Sequence, residues 1–376
     1  MDLSRATYKL WMMLGEAESK IEHLRGVPLR PEAQEELQRV YLAKGALASA
    51  QIEGNTLSEQ EAISLVEGQL QLPPSREYLA QEVQNIVDAV NKLALDLQDS
   101  GPVPITPAHI SEFNRLVLRN LSLEPGVAPG EYRTSSVAVG PYVGAPAEDV
   151  PFLVDKMCDW LATSFELPED RKEMRTVFPI LQAILAHLYF EWIHPFGDGN
   201  GRTGRLIEFH LLVSSGVPFP AAHLLSNHYN QTRSEYYRQL HLASASGGNV
   251  IPFIEYAVQG FVDGLRSQIE KVQGAQIDVM WENYVHHEVP GATSTAERRR
   301  TLVFELTRVG QPAPRRDLMD MTPELRRAYS DKTPKTLSRD LNFLRDLGLL
   351  ALVPGGWVAN KQLVRGFLPQ AVASSN

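Results

Sequence analysis

Residues 175–193, RTVFPILQAILAHLYFEWI, put apolar side chains on nearly every side of a helix. A helix with no polar face has nothing to offer water, so other elements must surround it. Gln182, His187 and Glu191 interrupt the run, which reads as a central core helix and not a membrane span. Most other segments repeat their apolar residues at helical period, as a partner for such a helix should. TPAHISEFNRLVLRNL opens with Thr106 as N-cap and Pro107 at the first helical position. GRTGRLIEFHLLVSSG is a following helix that stops at Gly216, with Pro218 just beyond. The exception is Pro125 to Pro151, rich in glycine and proline, where YRTSSVAVGPYV alternates like a short strand or hairpin. The expected fold class is all-α with one small hairpin.

With 376 residues the chain is long enough for two or three domains. A net charge of −9 argues against nucleic-acid binding over the whole chain, although a local basic module is compatible with it. From Ala296 to Asn376 fourteen Lys or Arg face eight Asp or Glu, so the tail is a separate module of opposite charge. The single cysteine, Cys158, excludes an internal disulfide framework and a Cys-based zinc site. Its place in FLVDKMCDWL, at apolar helical spacing, makes it a buried structural thiol. MDLSRATYKLWMML lacks the pattern of a secretory leader, and the expected location is cytoplasmic, with no membrane partner.

The densest chemistry lies in WIHPFGDGNGRTGRL, residues 192–206. Gly199 and Gly201 flank Asn200, so successive backbone amides can turn toward one point. The loop runs straight into a helix, whose first amides and dipole also favour negative charge. Arg202 and Arg205, three apart, can converge on one polyanion. Asp198 would repel a bare phosphate but fits as the ligand of a Mg²⁺ ion bridging phosphates. These features describe a diphosphate or triphosphate site. A Walker A loop would need a lysine that is absent, and an EF-hand starting at Asp198 would place Arg202 and Phe209 at ligand positions. A dinucleotide fingerprint would follow a strand, and zinc would need more histidines. His194, just before the loop, can take a proton from an incoming hydroxyl. The loop offers no nucleophile of its own, so the work left is alignment and charge neutralisation.

HPFGDGNGRTGR fits HPFx(D/E)GNGRxxR at every fixed position and thereby resembles the Fic family, over about residues 105–250. The resemblance implies a helical Fic core with a hairpin flap, and transfer of AMP from ATP to a protein hydroxyl with release of pyrophosphate. It makes His194 the general base and gives Asp198 the Mg²⁺. Gly199, Asn200 and Gly201 become the anion nest, and Arg202 grips the phosphates. Arg205 reaches the γ-phosphate, and Thr203 and Gly204 count among the nucleotide contacts. Pro195 and Phe196 set the loop into the core. In the flap, Val139, Gly140, Pro141 and Tyr142 would border the nucleotide and register a target peptide by strand addition. Tyr236, Tyr237 and Ser244 fall at base-pocket positions. The phosphotransferase relatives carry lysine where this chain has Gly201. Transfer of UMP or phosphocholine stays open on the motif alone, AMP being the commonest cargo. Automodification and a homodimer are further expectations of the resemblance.

ASAQIEGN sets Ser49 and Glu53 four apart on one helix face, with Gly54 ending the helix. It matches the family's inhibitory pattern (S/T)xxxE(G/N). By that resemblance Glu53 pairs with Arg205 and occupies the γ-phosphate position; the same carboxylate could orient a water that removes AMP from a modified target. In the tail, DKTPKTLSRDLNFLRDLGLLALVPGGWVAN reads as a helix from Thr333 and Pro334 to Gly348, then a strand, a Pro-Gly-Gly turn and a strand. Leu337, Leu341, Leu344 and Leu347 form the inner face; Lys335, Ser338, Arg339, Asn342 and Arg345 lie outward. This resembles a winged helix-turn-helix, with DNA as a possible partner, though Asp340 and Asp346 weaken attraction to phosphate. The expected segments are 1–104 (N-terminal helical region), 105–265 (catalytic core), 266–292 (helical linker) and 293–376 (winged-helix-like domain). The leading expectation is an autoinhibited, ATP- and Mg²⁺-dependent protein adenylyltransferase. The rival is a transcriptional regulator with a nucleotide-sensing core.

Overall fold

The computed structural model describes residues 5–139, 142–165 and 175–365. The chain divides into two compact units, Met1–Ile269 and Glu270–Asn376.

In the first unit, α1 (Tyr8–Gly26) begins where the Thr7 hydroxyl accepts from the Leu10 amide at 3.3 Å. Helix α2 (Pro31–Ile52) has proline at its start, where a missing N–H costs nothing, and ends at Glu53, with Gly54 in a positive-φ conformation beyond. A reciprocal capping box between Ser58 and Glu61 opens α3 (Glu59–Val66), and α4 (Glu77–Ser100) follows. Thr106 caps α5 (Pro107–Val117), as its sequence requires. The Gly/Pro-rich stretch forms the antiparallel pair β1 (Ala138–Val139) and β2 (Tyr142–Val143), with Ala138 opposite Val143. Gly140 and Pro141, the turn between them, lie outside the described residues. Helix α6 (Val150–Thr163) carries buried Cys158.

Helix α7 (Val177–Ile193) is the apolar run; Ile180, Leu181, Ala183, Ile184, Leu185, Ala186 and Leu188 are all fully buried. Each large side chain withdrawn from water in this way contributes about 1.5–3 kcal/mol. Its neighbours include α6, α1 and above all α8 (Asn200–Ser214). The first unit also contains α9 (Phe219–Ala222), α10 (Leu224–Gln231), α11 (Arg233–Ala245) and, up to Ile269, the start of α12 (Ile251–Glu288). Helix α2 packs against α10, α3 and α4, and it also reaches α8, which brings its C-terminal end to the glycine–arginine loop. No helix among the described residues is long and apolar enough to cross a membrane.

In the second unit, Trp281, Val285 and Val289 join a core with Leu302, Leu306, Leu325, Leu337, Leu341, Leu344 and Trp357. Helix α13 (Ser294–Val309) is capped by Thr293 and closed by Gly310 in the left-handed region. Then come α14 (Pro323–Tyr329), α15 (Pro334–Asp346) and the hairpin of β3 (Leu350–Val353) with β4 (Gly356–Ala359). Two positive-φ residues, Gly355 and Gly356, make the expected Pro-Gly-Gly turn. One reading is corrected. Asp340 does not repel phosphate from an outward face; it is buried and accepts from Arg298 Nε and Arg299 Nε at 2.8 Å each and from the Tyr329 hydroxyl at 3.1 Å. Its distance of three from Leu337 and four from Leu344 puts it on the inner face of α15. Leu347, expected inward, is only half-buried.

Candidate active site

The last amide of α7 is that of His194, bonded to Phe190 O at 2.8 Å. His194 itself is left-handed, with φ 51°, a conformation that costs a residue with a Cβ about 1 kcal/mol. That turn swings the chain off α7, and three contacts fix it. Phe196 N donates to Asn200 Oδ1 at 2.9 Å, and Asn200 Nδ2 donates to Phe196 O at 2.8 Å, closing a ring across the loop. Asn114, fully buried on α5, donates to Asp198 O at 2.9 Å and accepts from the Gly130 amide at 2.9 Å. Arg133 donates to His194 O at 2.7 Å, Ile193 O at 3.2 Å and Ser135 O at 2.8 Å, and also to Ala145 O. One guanidinium thus ties both arms of the flap to the end of α7.

Gly199, with φ 74°, is the residue from which α8 starts. The first amides of any helix lack internal acceptors, so here they are left for a ligand. They border a cavity of about 380 Å³ lined by, among others, Gly199, Asn200, Gly201, His194, Asp198 and Arg205. Tyr142, Tyr236, Tyr237 and Ser244 line it too, along with Leu240 and His241, which sequence reasoning missed. The Tyr142 hydroxyl donates to Trp192 O, and that of Tyr237 to Ile52 O at 3.2 Å. The Asn200 side chain is spent on the loop itself, so only its backbone is available to an anion.

Two expected nucleotide contacts are not among the residues lining the cavity. Thr203 is fully buried, its hydroxyl donating to Gly199 O at 2.8 Å, and it does not line the cavity. Gly204 faces α7, where a Cβ would press on Glu191, His187 and Phe190; it is a packing glycine. The helical advance turns these two positions away from the face that Gly201 and Arg205 share. Arg202 is buried against Asp198, Nη2 to Oδ1 3.2 Å. Val139 has no described side chain, and Gly140 and Pro141 lie outside the described residues.

Arg205 is deeply buried. Its Nε donates to Ser49 Oγ at 2.9 Å, and its Nη2 donates to Ser49 O at 2.8 Å and to Glu53 Oε1 at 2.7 Å. Burial works against its charge, but the Glu53 carboxylate beside it wins and holds the guanidinium above its ordinary pKa. A Cβ on Gly201 would overlap Glu53 Oε1, so the glycine makes room for that carboxylate. Glu53 closes one end of the cavity while staying about a third exposed, at 35%. Beneath lies a polar layer: His187 Nε2 meets the Tyr236 hydroxyl at 2.8 Å, and the Tyr229 hydroxyl donates to Glu208 Oε1 at 2.8 Å. Burial pulls His187 down to about 4 and pushes Glu208 up to about 8, so both are neutral near pH 7.

Asn114, Arg133 and Glu191 are the supporting residues that the sequence reading did not assign. Asn114 carried a signal, an amide among the inward residues Ile110, Phe113 and Val117. Glu191 stood out only as a polar break in an apolar run. Arg133 gave no local sign, because its partners lie up to 61 residues away.

Residues 104–212 match the model of the Fic/DOC family. The chain is 31% identical over 228 residues to protein adenylyltransferase fic-1 of Caenorhabditis elegans, covering 59% of this chain and 41% of that protein. It is 29% identical over 244 residues to protein adenylyltransferase Fic of Drosophila melanogaster, covering 64% and 44%. The match thus spans less than half the length of these curated relatives. Among solved structures, a Fic family protein from Desulfovibrio desulfuricans G20 shares the fold with a TM-score of 0.57 at 22% identity, over 92% of this chain and 91% of that one. C. elegans Fic-1 (residues 134–508) gives 0.56 at 25% identity, over 71% and 73%.

Proposed function

We propose, on the match of residues 104–212 to the Fic/DOC family model, that this chain is a protein adenylyltransferase autoinhibited by Glu53. The observation that carries the reading is the join of three parts in one cavity: an imidazole at the mouth, a glycine turn at a helix start, and a buried arginine whose partner is a removable carboxylate. ATP would lay its phosphates along the glycine turn, against the amides of Asn200 and Gly201, with Arg205 at the γ-phosphate. His194 takes the proton of a target Ser, Thr or Tyr hydroxyl as that oxygen bonds to the α-phosphorus. The bond from the α-phosphorus to the bridging oxygen breaks, and pyrophosphate leaves with the electron pair. Tyr142 and the flap strand would hold the target segment by strand addition.

Asp198 fits the magnesium ion that such chemistry uses. One carboxylate oxygen is engaged by the Gly199 amide and Arg202, and the other has no partner among the described residues. A lone carboxylate suits an ion held mainly by water and substrate phosphates. When bound, the ion would neutralise phosphate charge.

Glu53 competes with the nucleotide for Arg205, because a carboxylate–guanidinium pair and a γ-phosphate cannot share one fork. With ATP and magnesium, Glu53→Gly should raise automodification about tenfold or more, equal to about 1.4 kcal/mol of lost competition. Adding His194→Ala should remove about 10²–10⁴-fold of that activity. The measurement is labelled-ATP transfer, with mass spectrometry of the product to give the cargo and the hydroxyl type. ATP binding to Glu53→Gly without any gain in transfer would sink the autoinhibition claim. Salt-dependent DNA binding with no transfer at all would favour a regulator instead. The position of Glu53 also supports a second role, orienting a water that releases AMP; unchanged release in Glu53→Gly counts against it.

A further inference from the structure

Glu191 and His194 stand three residues apart at the end of α7, and the left-handed turn at His194 brings its Nδ1 to 3.6 Å from Glu191 Oε2. Neither ring nitrogen of His194 makes a hydrogen bond among the described residues, and Glu191 Oε2 is the nearest acceptor, just beyond that range. The Glu191 side chain is only 12% exposed, and its Oε1 is buried without a hydrogen-bond partner. A buried carboxylate of this kind is costly unless cations or donors surround it. Burial does push Glu191 upward, but His194 above all, with Arg205, outweighs it and holds the group below the usual carboxylate range. An anion therefore stands beside the imidazole, in the wall of the cavity that both residues line.

We propose that Glu191 is a positioning residue for His194: as the 3.6 Å gap tightens in the reacting complex it accepts from Nδ1–H and so leaves the Nε2 lone pair facing the incoming hydroxyl. This rests on the adenylyltransferase reading for its purpose, but not for its geometry. A neutral imidazole carries one proton, and only the Nδ1–H form has a basic Nε2. When Nε2 takes the hydroxyl proton, the ring becomes a cation next to Glu191, which stabilises it without accepting a proton. That is the orienting role a carboxylate plays behind a histidine in nucleophilic triads. His187 sits at the same carboxylate yet is held neutral by burial, so it does not compete as a cation.

The test is Glu191→Gln, which keeps shape and volume, read by long-range proton–nitrogen NMR of the His194 ring in the nucleotide-free full-length protein at a pH where the ring is neutral. Wild type should show Nδ1 protonated and Nε2 bare; the variant should lose that preference. In a Glu53→Gly background, Glu191→Gln should lower kcat about 100-fold with the KM for ATP unchanged within about twofold. Glu191→Asp, shorter but still charged, should retain the tautomer and part of kcat, which a purely structural role does not predict. A wild-type ring protonated at Nε2, or an unchanged tautomer in Glu191→Gln, overturns the proposal. If Glu191→Gln fails to fold, the wild-type and Glu191→Asp spectra still decide it. The spectra need no transfer activity, so failure of the enzymatic reading is seen separately in the transfer assay.

Discussion

Arg205 and Arg298 are both buried arginines, each held by a carboxylate from a different helix, yet the two carboxylates are placed differently. Asp340 is 2% exposed and receives Arg298, Arg299 and a tyrosine hydroxyl; Glu53 is 35% exposed, receives one arginine, and borders the cavity. The first arrangement saturates the anion and seals it from water. The second leaves one side of the anion open to anything that can do its job better. The same pair of charges can therefore seal a core or stand at the edge of a cavity, and the burial of the carboxylate separates the two.

The strongest way to break the comparison is to remove Asp340. Asp340→Ala leaves two arginines facing each other without their anion, and loss of one partner of a buried pair costs about 3–5 kcal/mol. Residues 270–376 should lose protection first, measured as faster hydrogen exchange in α13 and α15. A variant that keeps wild-type exchange there would show that Asp340 is as dispensable as a surface charge.

Glu208 sharpens the comparison as a buried carboxylate that, among the described residues, has no arginine in its hydrogen-bonding shell, an unpartnered Oε2 and a single bond, from Tyr229. Burial lifts it from an ordinary 4.5 to about 8, so the folded protein holds a proton there that the unfolded chain gives up. The sign follows: between about pH 4.5 and 8 the native state binds more protons, so this contribution is complete at the acid end and lost as pH rises. The slope is at most about 1.4 kcal/mol per pH unit. Denaturant titrations across that window should show it, and Glu208→Gln should flatten it. A wild-type slope that the variant leaves intact would mean the carboxylate is ionised, and so behaves like Glu53.

The pairing of Glu53 with Arg205 was legible in the sequence and the Asp340 cluster only half so. Short-range devices could be read directly: Thr106 and Thr333 at helix starts, Gly54 and Gly348 beyond helix ends, and the glycine turn between Gly199 and Gly201. Each works through residues a few positions away. Thr203 and Gly204 misled because a motif names positions, not directions, and each helical step rotates a side chain by a large angle. Arg133 and Asn114 were silent because their partners come from distant segments, and nothing local obliges an arginine to find four carbonyls. Asp340 was readable in principle, since its spacing from Leu337 and Leu344 is that of an inner-face residue.

The smallest expected effect on stability is also the most discriminating. Glu53→Ala keeps a Cβ at the end of α2 and removes only the carboxylate, whose partial exposure already screens the pair. The expected loss is about 1 kcal/mol, near the value for exposed pairs and well below that for buried ones. Arg205 keeps both Ser49 contacts in the variant, so the guanidinium is not left bare. What should change is the response to nucleotide. Bound ligand stabilises by about 2.7 kcal/mol at a hundred times its Kd, so ATP with magnesium should raise the Tm of Glu53→Ala more than that of wild type, in which the ligand must first displace a resident anion. An equal rise in both proteins would mean that Glu53 and ATP do not compete, and that the Glu53–Arg205 pair belongs with Asp340 as architecture.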